Sequence, residues 1–489
     1  MRTLPFVLSL SVLAAPALAA SPLVNRLSWG ETAQGDTLQG QSPKAWLERQ
    51  LHPSDDDGLP PQVAAQIAAF TISTTPMDQL AREMKQQRMD VKEVKATDPD
   101  AKKAYQQALT ELMRQAQARS LLRDLYSKNQ LKEQLTWFWF NHFNVHAQKG
   151  LIRAMVGDYE ETAIRPHVLG KFRDLLAATV FHPAMIQYLD NQQNAAGKIN
   201  ENYAREIMEL HTMGVGSGYS QSDVQELARI LTGVGVNLNG QPRRGGGAMI
   251  REQYVSDGLF EFNPRRHDYG DKTFLSHTIH GEGLQEVSQA IDILARQPAT
   301  AKHVSTQLAQ YFCCDAPSPA LVAAMTATWQ KTDGDIAAVL RTLFDSAEFT
   351  ASLGTKFKDP MHYAVSAMRA VYGSQPISNT QPMINWLNRM GEPLFSHETP
   401  DGYPLIESAW AGPGQMSARF EIARMIGSGA PQLFAGDGPP PRQPPPVLEQ
   451  TTYYQSLTLP AATKAAITQG QTQADRNMLF LSSPDFMRR

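Results

Sequence analysis

The feature that most constrains the fold is an aromatic stretch over residues 137–146, which reads Trp-Phe-Trp-Phe-Asn-His-Phe-Asn-Val-His. As a helix it would be apolar on nearly every side, and such a helix must be buried. A chain of 489 residues is long enough to surround it with a large core. Because buried polar groups need hydrogen-bond partners, we expect Asn141, His142 and His146 to meet polar groups from elsewhere in the chain.

Helical periodicity dominates the rest of the sequence. Apolar residues recur at helical spacing over residues 98–126 and 284–296, among other segments. Residues 258–262 and 272–275 instead alternate between apolar and polar side chains, as short strands do. The pattern predicts a mainly α protein, a large multi-helix domain with a small β-hairpin insert near residues 248–280.

Composition divides the chain into five segments. The first 19 residues contain an arginine, an apolar run and a small-residue site, which is typical of a secretory signal peptide. A run rich in proline predicts a semi-rigid linker. The expected order is a signal peptide (1–19), an irregular N-terminal arm (20–60), a main helical domain (61–435), a proline-rich linker (436–447) and a C-terminal helical tail (448–489).

The same segments indicate where the protein acts. Cleavage near Ala19 would place it in the periplasm or outside the cell, and no later segment is apolar enough for stable membrane insertion. A net charge of -3 gives no electrostatic reason to expect nucleic acid as a partner. The two cysteines, Cys313 and Cys314, are adjacent. We expect buried free thiols there, with a vicinal disulfide as the alternative.

The densest group of acids, amides and histidine lies between residues 200 and 235. On a helix, Asn202, Glu206 and Glu209 share one face. Two carboxylates one turn apart favour general acid and base chemistry or a metal site between helices. The alternative is an ordinary solvated helix face held by pairs of opposite charges. The candidate catalytic residues of this stretch are Glu206, Glu209 and His211, and the candidate substrate-binding residues are Asn202 and Arg205.

A second candidate group lies in the aromatic stretch. His142 and His146 are four residues apart, a spacing that puts two imidazoles on one helix face as in helix-borne metal sites. The glutamate that a zinc-protease helix places next to its first histidine is missing. The alternative is a pair of core histidines satisfied by hydrogen bonds, with Asn141 as a companion. Asn141 and His142 are candidate substrate-binding residues, and the two histidines are candidate metal ligands.

A third candidate group follows the predicted strand at residues 258–262 and lies on a loop, where functional groups are often displayed. His267 would supply a base and Asp268 a carboxylate to orient it, although sequence neighbours on an extended chain point apart. We take both as candidate catalytic residues and Lys272 as a candidate substrate-binding residue. The alternative is a turn held by polar side chains.

Five sequence strings stand out, at residues 138–143, 200–215, 219–224, 228–233 and 267–272. Together they resemble the bacterial family catalogued as domain of unknown function 1800, although Val234 stands where that family would have a tryptophan. The resemblance implies a large, mostly helical and often exported protein, commonly encoded beside a second uncharacterised family with a sulfatase-like look. It also suggests that the three candidate groups meet in space.

These observations lead to three hypotheses. The first is an exported hydrolase-like enzyme in which carboxylates and histidines act as general acid and base on an envelope or extracellular polymer, with a divalent metal as a candidate cofactor. The second is a non-catalytic binding or assembly protein that acts with an exported partner from the neighbouring uncharacterised family. The third is a metal or haem redox protein. The sequence has no nucleophile elbow, phosphate-binding loop, dinucleotide fingerprint or covalent haem motif.

Overall fold

The structure is a computed structural model that describes residues 21–32, 38, 40–93, 99–240, 248–373, 375–436 and 459–489. The expected signal peptide lies outside these residues. The expected proline-rich linker also lies outside them, apart from residue 436.

The described residues form a mainly α protein, which confirms the predicted fold class. Helices hold 62% of the residues and strands only 5%, so helix packing sets the architecture. Within the described ranges, no helix is both long and apolar enough to cross a membrane. The α-helices are α1 (Pro22–Leu27), α2 (Pro43–Leu51), α3 (Pro61–Ala68), α4 (Thr71–Thr74), α5 (Met77–Glu93), α6 (Pro99–Tyr126), α7 (Gln130–His142), α8 (Val156–Asp158), α9 (Phe172–Phe181), α10 (Pro183–Tyr188), α11 (Asn202–Glu206), α12 (Gln221–Ile230), α13 (Ala248–Gln253), α14 (Leu284–Arg296), α15 (Pro298–Phe312), α16 (Pro319–Thr332), α17 (Ile336–Phe344), α18 (Ala347–Ser352), α19 (Pro360–Tyr372), α20 (Gln381–Arg389), α21 (Pro413–Gly427), α22 (Ala461–Thr468) and α23 (Gln473–Leu481).

Local sequence signals explain where many of these helices begin. Proline occupies the first turn of α2, α15 and α19, where its missing N–H leaves no helical hydrogen bond unmade. The side chains of Ser42 and Asp359 accept hydrogen bonds from backbone N–H groups in the first turns of α2 and α19. Helix α12 begins with a reciprocal capping box between Ser220 and Asp223.

Helix α7 carries the aromatic stretch and lies in the core. Every residue of this helix except Lys132 is buried, as the all-round apolar pattern predicts. The indole N–H of Trp139 donates to the carbonyl oxygen of Val168 over 3.1 Å, so this aromatic ring is both packed and hydrogen-bonded. The helix is therefore a fixed element against which neighbouring segments are positioned.

The end of α7 differs from the expectation. The helix ends at His142, and the chain then leaves the helical path. The side-chain amide of Asn144 donates to the carbonyl oxygens of His397 and Thr399, at 3.0 and 2.8 Å, and holds the chain against a loop. The expected helix face shared by His142 and His146 is therefore wrong, because a tertiary hydrogen bond ends the helix between them.

Two small antiparallel sheets accompany the helices. In the first, β3 (Phe260–Phe262) lies between β1 (Val234–Val236) and β2 (Val255–Asp257). The second is a hairpin of β4 (Lys272–Phe274) and β5 (His277–Ile279). The predicted insert contains four of these strands, but β1 precedes it and α13 lies inside it. The alternation in the sequence covers β3 and β4, whereas β1 (Val-Gly-Val) has no polar side chain to alternate with its valines.

The N-terminal arm and the C-terminal tail are both part of the packed core. The arm was expected to be mostly irregular, with one short helical segment at residues 44–51; α2 covers that segment, and α1 is a further helix. The guanidinium of Arg26, in α1, is buried and donates to the carbonyl oxygens of Phe312 and Arg489, at 2.7 and 2.6 Å. The guanidinium of Arg489 also donates a hydrogen bond, to the carbonyl oxygen of Tyr311 over 2.8 Å. These bonds join the arm, the tail and the end of α15, while α23 packs against α21.

Candidate functional site

The central polar stretch folds as α11 followed directly by a π-helix over Ile207–Thr212. The backbone N–H of Met213 bonds to the carbonyl oxygen of Met208 over 2.9 Å, a five-residue step in place of the usual four. Short π-helical segments occur frequently at functional sites because they displace side chains and carbonyl groups from the regular helical positions. The sequence does not reveal this insertion, since the same residues suit an α-helix.

Two carbonyl oxygens of the π-helix are bound by histidines from other helices. His142 Nε2, on α7, lies 3.0 Å from the carbonyl oxygen of His211, and His303 Nε2, on α15, lies 3.3 Å from that of Leu210. Because a carbonyl oxygen can only accept, each Nε2 atom carries a proton. His142 Nδ1 lies 2.6 Å from the side-chain oxygen of Gln307. Because a neutral ring with its proton on Nε2 accepts at Nδ1, the hydrogen bond forms with the Gln307 amide turned so that its NH2 group faces the ring. Both nitrogens of His142 are therefore committed to hydrogen bonds within the protein.

His142, His211 and His303 form a cluster of uncharged imidazoles. The ring centroid of His142 is 6.1 Å from that of His211 and 6.4 Å from that of His303. Burial, together with the nearby His303, lowers the pKa of His142 to about 4. Burial also lowers the pKa of His211 well below its ordinary value. The Nε2 atom of His211 is buried and has no hydrogen-bond partner among the residues that the structure describes, so these residues do not commit this polar group to the fold.

The histidines of this region are not spaced as ligands of one ion. Among the described residues, no three of their nitrogens lie within 4.8 Å of one another. Both nitrogens of His142 are already bonded, and His146 lies beyond the end of α7. The expected metal ligands His142 and His146 therefore do not form a ligand set in this arrangement.

A cleft of about 270 Å³ opens beside the end of α7. One wall comes from α7 and α15, and the other comes from a loop over residues 401–405. This size lies near the lower end of the range for small-molecule sites in proteins. The side chains discussed below that line it are Phe138, Asn141, His142, Gln307, Asp401 and Tyr403.

Asn141 holds the loop against α7. Its side-chain amide donates to the carbonyl oxygen of Tyr403 over 2.9 Å, and its oxygen accepts from the Tyr403 N–H over 2.6 Å. Gly402 has a φ of +71°, and a Cβ atom at that position would collide with the backbone oxygen of Asn141. The loop therefore needs glycine to approach the helix this closely. The sequence thus specifies this wall of the cleft.

Glu206 is a half-buried acid near the Asp401 edge of the cleft. Burial raises the pKa of the Glu206 carboxyl, and the negative charges of Glu209 and Asp401 raise it further. The only opposing influence is the cation of Arg205. Among the described residues, Glu206 makes no hydrogen bond or ion pair. It is therefore an acid whose proton is favoured by its surroundings and whose oxygens remain available.

The other candidates in this stretch are engaged in contacts at the surface. Arg205 contacts Glu209 at 3.3 Å and Glu201 at 3.0 Å, each between a guanidinium nitrogen and a carboxylate oxygen. The Asn202 side chain is exposed and donates to the carbonyl oxygen of Leu189 over 3.2 Å. For Arg205 and Glu209, the structure thus shows the alternative that the sequence allowed, a solvated helix face held by pairs of opposite charges.

The third candidate group forms a buried polar network, which we call the Glu286 lock, consisting of His267, Lys272 and Glu286. His267 Nε2 lies 2.8 Å from Glu286 Oε1, and Lys272 Nζ lies 2.5 Å from Glu286 Oε2. The side chains of all three are fully buried. Burial alone would raise the pKa of the Glu286 carboxyl, but the hydrogen bonds from His267 and Lys272 hold that pKa below its ordinary value.

Asp268 points away from the lock. Its two carboxylate oxygens receive hydrogen bonds from Arg229 at 2.9 and 3.1 Å, which chiefly account for lowering the pKa of Asp268 to about 2. His267 Nδ1 instead bonds to the carbonyl oxygen of Thr232 over 2.7 Å. The two neighbours thus face different partners, as expected for adjacent residues on an extended chain.

The structure therefore separates the predicted site residues into two regions. Asn141, His142 and His211 lie together around the π-helix, and Glu206 is close to the same cleft. His267, Asp268 and Lys272 belong to the other region. Within the described part of the chain, no hydrogen bond, ion pair or ring contact joins the two regions' candidate side chains. The expectation that all three groups meet is therefore supported by direct contacts for the first two groups.

Sequence reasoning missed several partners of these residues. His303 and Gln307 are four residues apart on α15, so their shared helix face was detectable. Glu286 fills the N3 position of α14, where an acid is an ordinary capping residue and gives no sign of a buried lock. Asp401 and Tyr403 lie on a loop, for which no periodicity predicts a spatial neighbour.

The fold and the site define a mainly α protein with a polar cleft beside a π-helix. The family model described as "Protein of unknown function (DUF1800)" matches residues 22–488, nearly the whole chain, and the protein belongs to this family. No curated protein and no solved structure matches the chain.

Proposed function

We propose that this protein is an exported hydrolase-like enzyme and that Glu206 transfers a proton to a substrate bound in the cleft. The observation that carries the proposal is the state of Glu206: a half-buried acid with a raised pKa, no hydrogen bond among the described residues, and Asp401 close by. A carboxyl whose pKa is moved toward the working pH is better suited to general acid catalysis than an ordinary surface acid.

Two carboxyl groups in different surroundings can divide the roles of acid and base. Glu206 keeps a proton more readily because of burial and its acidic neighbours. Asp401 lines the cleft, and its Oδ1 atom accepts a hydrogen bond from Thr399 over 2.5 Å. We assign proton donation to Glu206 and the activation of water to Asp401.

The lining of the cleft favours a neutral and polar substrate. Among the described residues that line it, none is a lysine or an arginine, so no fixed cation attracts a phosphate or sulfate group. Phe138 and Tyr403 offer aromatic rings, and Gln307 and Gln310 offer amides. Rings and amides suit the faces and hydroxyl groups of sugars, which supports a glycan of the envelope or extracellular matrix as the substrate class.

The decisive comparison is Glu206→Gln against Glu209→Gln. Both acids belong to the same stretch, but Glu209 is paired with Arg205 whereas Glu206 is free of such a partner in the described structure. Release of reducing ends from isolated envelope and extracellular polysaccharides would be measured. We expect Glu206→Gln to lose about 10²–10⁴-fold in rate and Glu209→Gln to lose less than about tenfold. Equal rates in the two variants would overturn the assignment.

Export is part of the proposal and rests on the N-terminal sequence pattern. Full-length protein would be produced with its own N-terminus and recovered from separated cell fractions. We expect it in the periplasmic or extracellular fraction, beginning at Ala20. Recovery from the cytoplasm with residues 1–19 attached would contradict export.

A second candidate function is a non-catalytic binding or assembly protein acting with an exported partner. The observation that favours it is Val215, an apolar side chain that is 76% exposed at the tip of the glycine turn after the π-helix. An exposed apolar side chain on a turn can contact another protein. Capture of one stoichiometric exported partner that is lost in Val215→Ser, with no polymer cleavage by the native protein, would favour this role over the enzyme.

A further inference from the structure

Three ligand-type side chains that do not line the cleft meet at the end of α15. The sulfur atoms of Cys313 and Cys314 and one carboxylate oxygen of Glu348 all lie within 4.8 Å of one another. Both cysteines are free thiols. Of the described residues, no other set of three histidine, cysteine or acidic side chains is gathered this closely.

The backbone explains how two adjacent cysteines take part in one cluster. The N–H groups of Cys313 and Cys314 both bond to the carbonyl oxygen of Ala309, at 2.8 and 3.3 Å. The chain therefore turns sharply at the helix end, in contrast to an extended strand, where neighbouring side chains point apart. The turn is a fixed part of the fold because Arg26 also donates to the Cys313 carbonyl oxygen over 3.1 Å.

Glu348 is oriented toward the thiols by a second set of hydrogen bonds. Its Oε1 atom accepts from the Ser318 N–H over 2.8 Å, and its Oε2 atom accepts from the Ser318 hydroxyl over 2.5 Å. Cys314 Sγ lies 3.6 Å from Oε1. Hydrogen bonds that fix a carboxylate in this way resemble the outer shell that orients ligands in metal sites.

We propose that Cys313, Cys314 and Glu348 form a binding site for a thiophilic divalent cation of the Zn²⁺ type. Two thiolates and a carboxylate are a recognised class of ligand for this ion, which also accepts water as a fourth ligand. Cys313 is buried, whereas Cys314 and Glu348 are half-buried, so water and the ion enter from the side of the latter two.

The charges of the site suit a divalent ion. Two thiolates and one carboxylate carry three negative charges, and the ion together with the nearby guanidinium of Arg26 supplies three positive charges. Cysteine binds such an ion as a thiolate, so binding displaces protons from sulfur, which gives the site a signature that a carboxylate cluster lacks.

The test uses the full-length protein, purified under reducing conditions and stripped of metal by a chelator. Zn²⁺ would be added in competition with a chromophoric chelator, and Co²⁺ would report sulfur ligation through a thiolate-to-cobalt charge-transfer band. We expect one ion per chain, with proton release shown by calorimetry in buffers of different ionisation enthalpy. We also expect Cys314→Ser to weaken binding by at least about a hundredfold and to remove most of the charge-transfer band.

Two further variants distinguish binding by this cluster from adventitious binding at the protein surface. Ser318→Ala keeps all three ligands and removes the hydroxyl that orients Glu348, so we expect binding weaker by about tenfold. The same hydroxyl also accepts from the Leu321 N–H at the start of α16. His280→Ala is the matched control, because His280 is exposed beside Asp271 and represents the kind of surface pair that binds Zn²⁺ adventitiously. Circular dichroism would verify that each variant is folded.

Three outcomes would overturn the proposal. The first is the absence of stoichiometric binding by the reduced native protein. The second is binding that Cys314→Ser leaves unchanged and His280→Ala removes. The third is a Cys313–Cys314 disulfide without metal in protein isolated from its native compartment, which would make the pair a redox element instead.

Discussion

The π-helix region and the Glu286 lock are both rich in buried polar groups, but they differ in how completely those groups are bonded. In the lock, both carboxylate oxygens of Glu286 have partners, and so do both nitrogens of His267. Around the π-helix, His211 Nε2 has no hydrogen-bond partner, and Glu206 makes no bond among the described residues. A fully bonded network stabilises one conformation, whereas unbonded polar groups are free to act on a ligand. The comparison is therefore consistent with a structural role for the lock and with the catalytic role that we propose for the cleft.

The largest predicted effect on stability comes from a substitution that removes one partner of Glu286 in the lock. Lys272→Met leaves the Glu286 carboxylate buried with His267 and a backbone N–H as its remaining partners in the described part of the chain. We expect the free energy of unfolding, measured with urea, to fall by about 3–5 kcal/mol. The control is Arg389→Met, which removes an exposed ion pair with Glu421 and should cost about 1 kcal/mol or less. Equal losses would mean that the lock is not a stabilising element.

A second prediction concerns pH and distinguishes the two regions by their titration. The pKa of His142 is lowered to about 4, so the unfolded chain binds more protons than the folded chain between about pH 6.5 and 4. Stability present above this window is therefore lost as the pH falls through it, by about 2 kcal/mol between pH 7 and 4.5. Urea unfolding would show a smaller pH dependence in His142→Gln.

The same unfolding experiment tests the direction in which the Glu286 lock changes stability with pH. Because the pKa of Glu286 is lowered, its contribution is present above its unfolded-state pKa of about 4.5 and is lost only as the pH falls below that value. Acid sensitivity between pH 6.5 and 5 thus belongs to the histidines. If His142→Gln keeps the full native pH dependence in that range, the assignment of this acid sensitivity to the histidine cluster is wrong.

A third and smaller effect concerns the wall of the cleft. Asn141→Ala removes both hydrogen bonds to Tyr403 and leaves those backbone groups without their partner. We expect a loss of about 2 kcal/mol in the free energy of unfolding. Proteolysis within residues 401–405 should become faster, because the loop loses its anchor. Asn385→Ala, at an exposed position of α20, is the control and should change stability by less than about 0.5 kcal/mol.

The smallest predicted effect on stability is at Glu206. Its carboxyl makes no bond among the described residues, and its raised pKa means that ionisation opposes folding as the pH rises above its ordinary value. Glu206→Gln should therefore leave stability at pH 7 within about 0.5 kcal/mol of the native protein, or increase it. A loss of several kcal/mol would show that Glu206 is structural, and the proposed catalytic role would fail.

The fold class was readable from the sequence because periodicity is a local signal. The burial of α7 followed from its aromatic residues, and the hairpin region followed from alternation. The end of α7 did not follow, because the hydrogen bonds of Asn144 to residues 397 and 399 are made by segments that are distant in sequence. Sequence spacing placed His142 and His146 on one face, but a tertiary contact ended the helix first.

The candidate site was only partly predictable for the same reason. Asn141, His142 and His211 were named from residue type and do lie together. His267 and Lys272 are bonded instead to Glu286, a residue that looks like an ordinary helix cap in the sequence. The π-helix has no sequence signature of its own, and Asp401 belongs to a loop. Whether a polar group is free or bonded is a property of the whole fold.

The central claim, that Glu206 is uncommitted while Glu286 is locked, can be tested without knowing the substrate. Selective ¹³C labelling of glutamate carboxyl groups would allow both residues to be titrated by NMR, with Glu206→Gln and Glu286→Gln used to assign the signals. We predict that the pKa of Glu206 lies above the ordinary glutamate value and that the pKa of Glu286 lies below it. A Glu206 carboxyl that titrates at or below the ordinary value would contradict the claim.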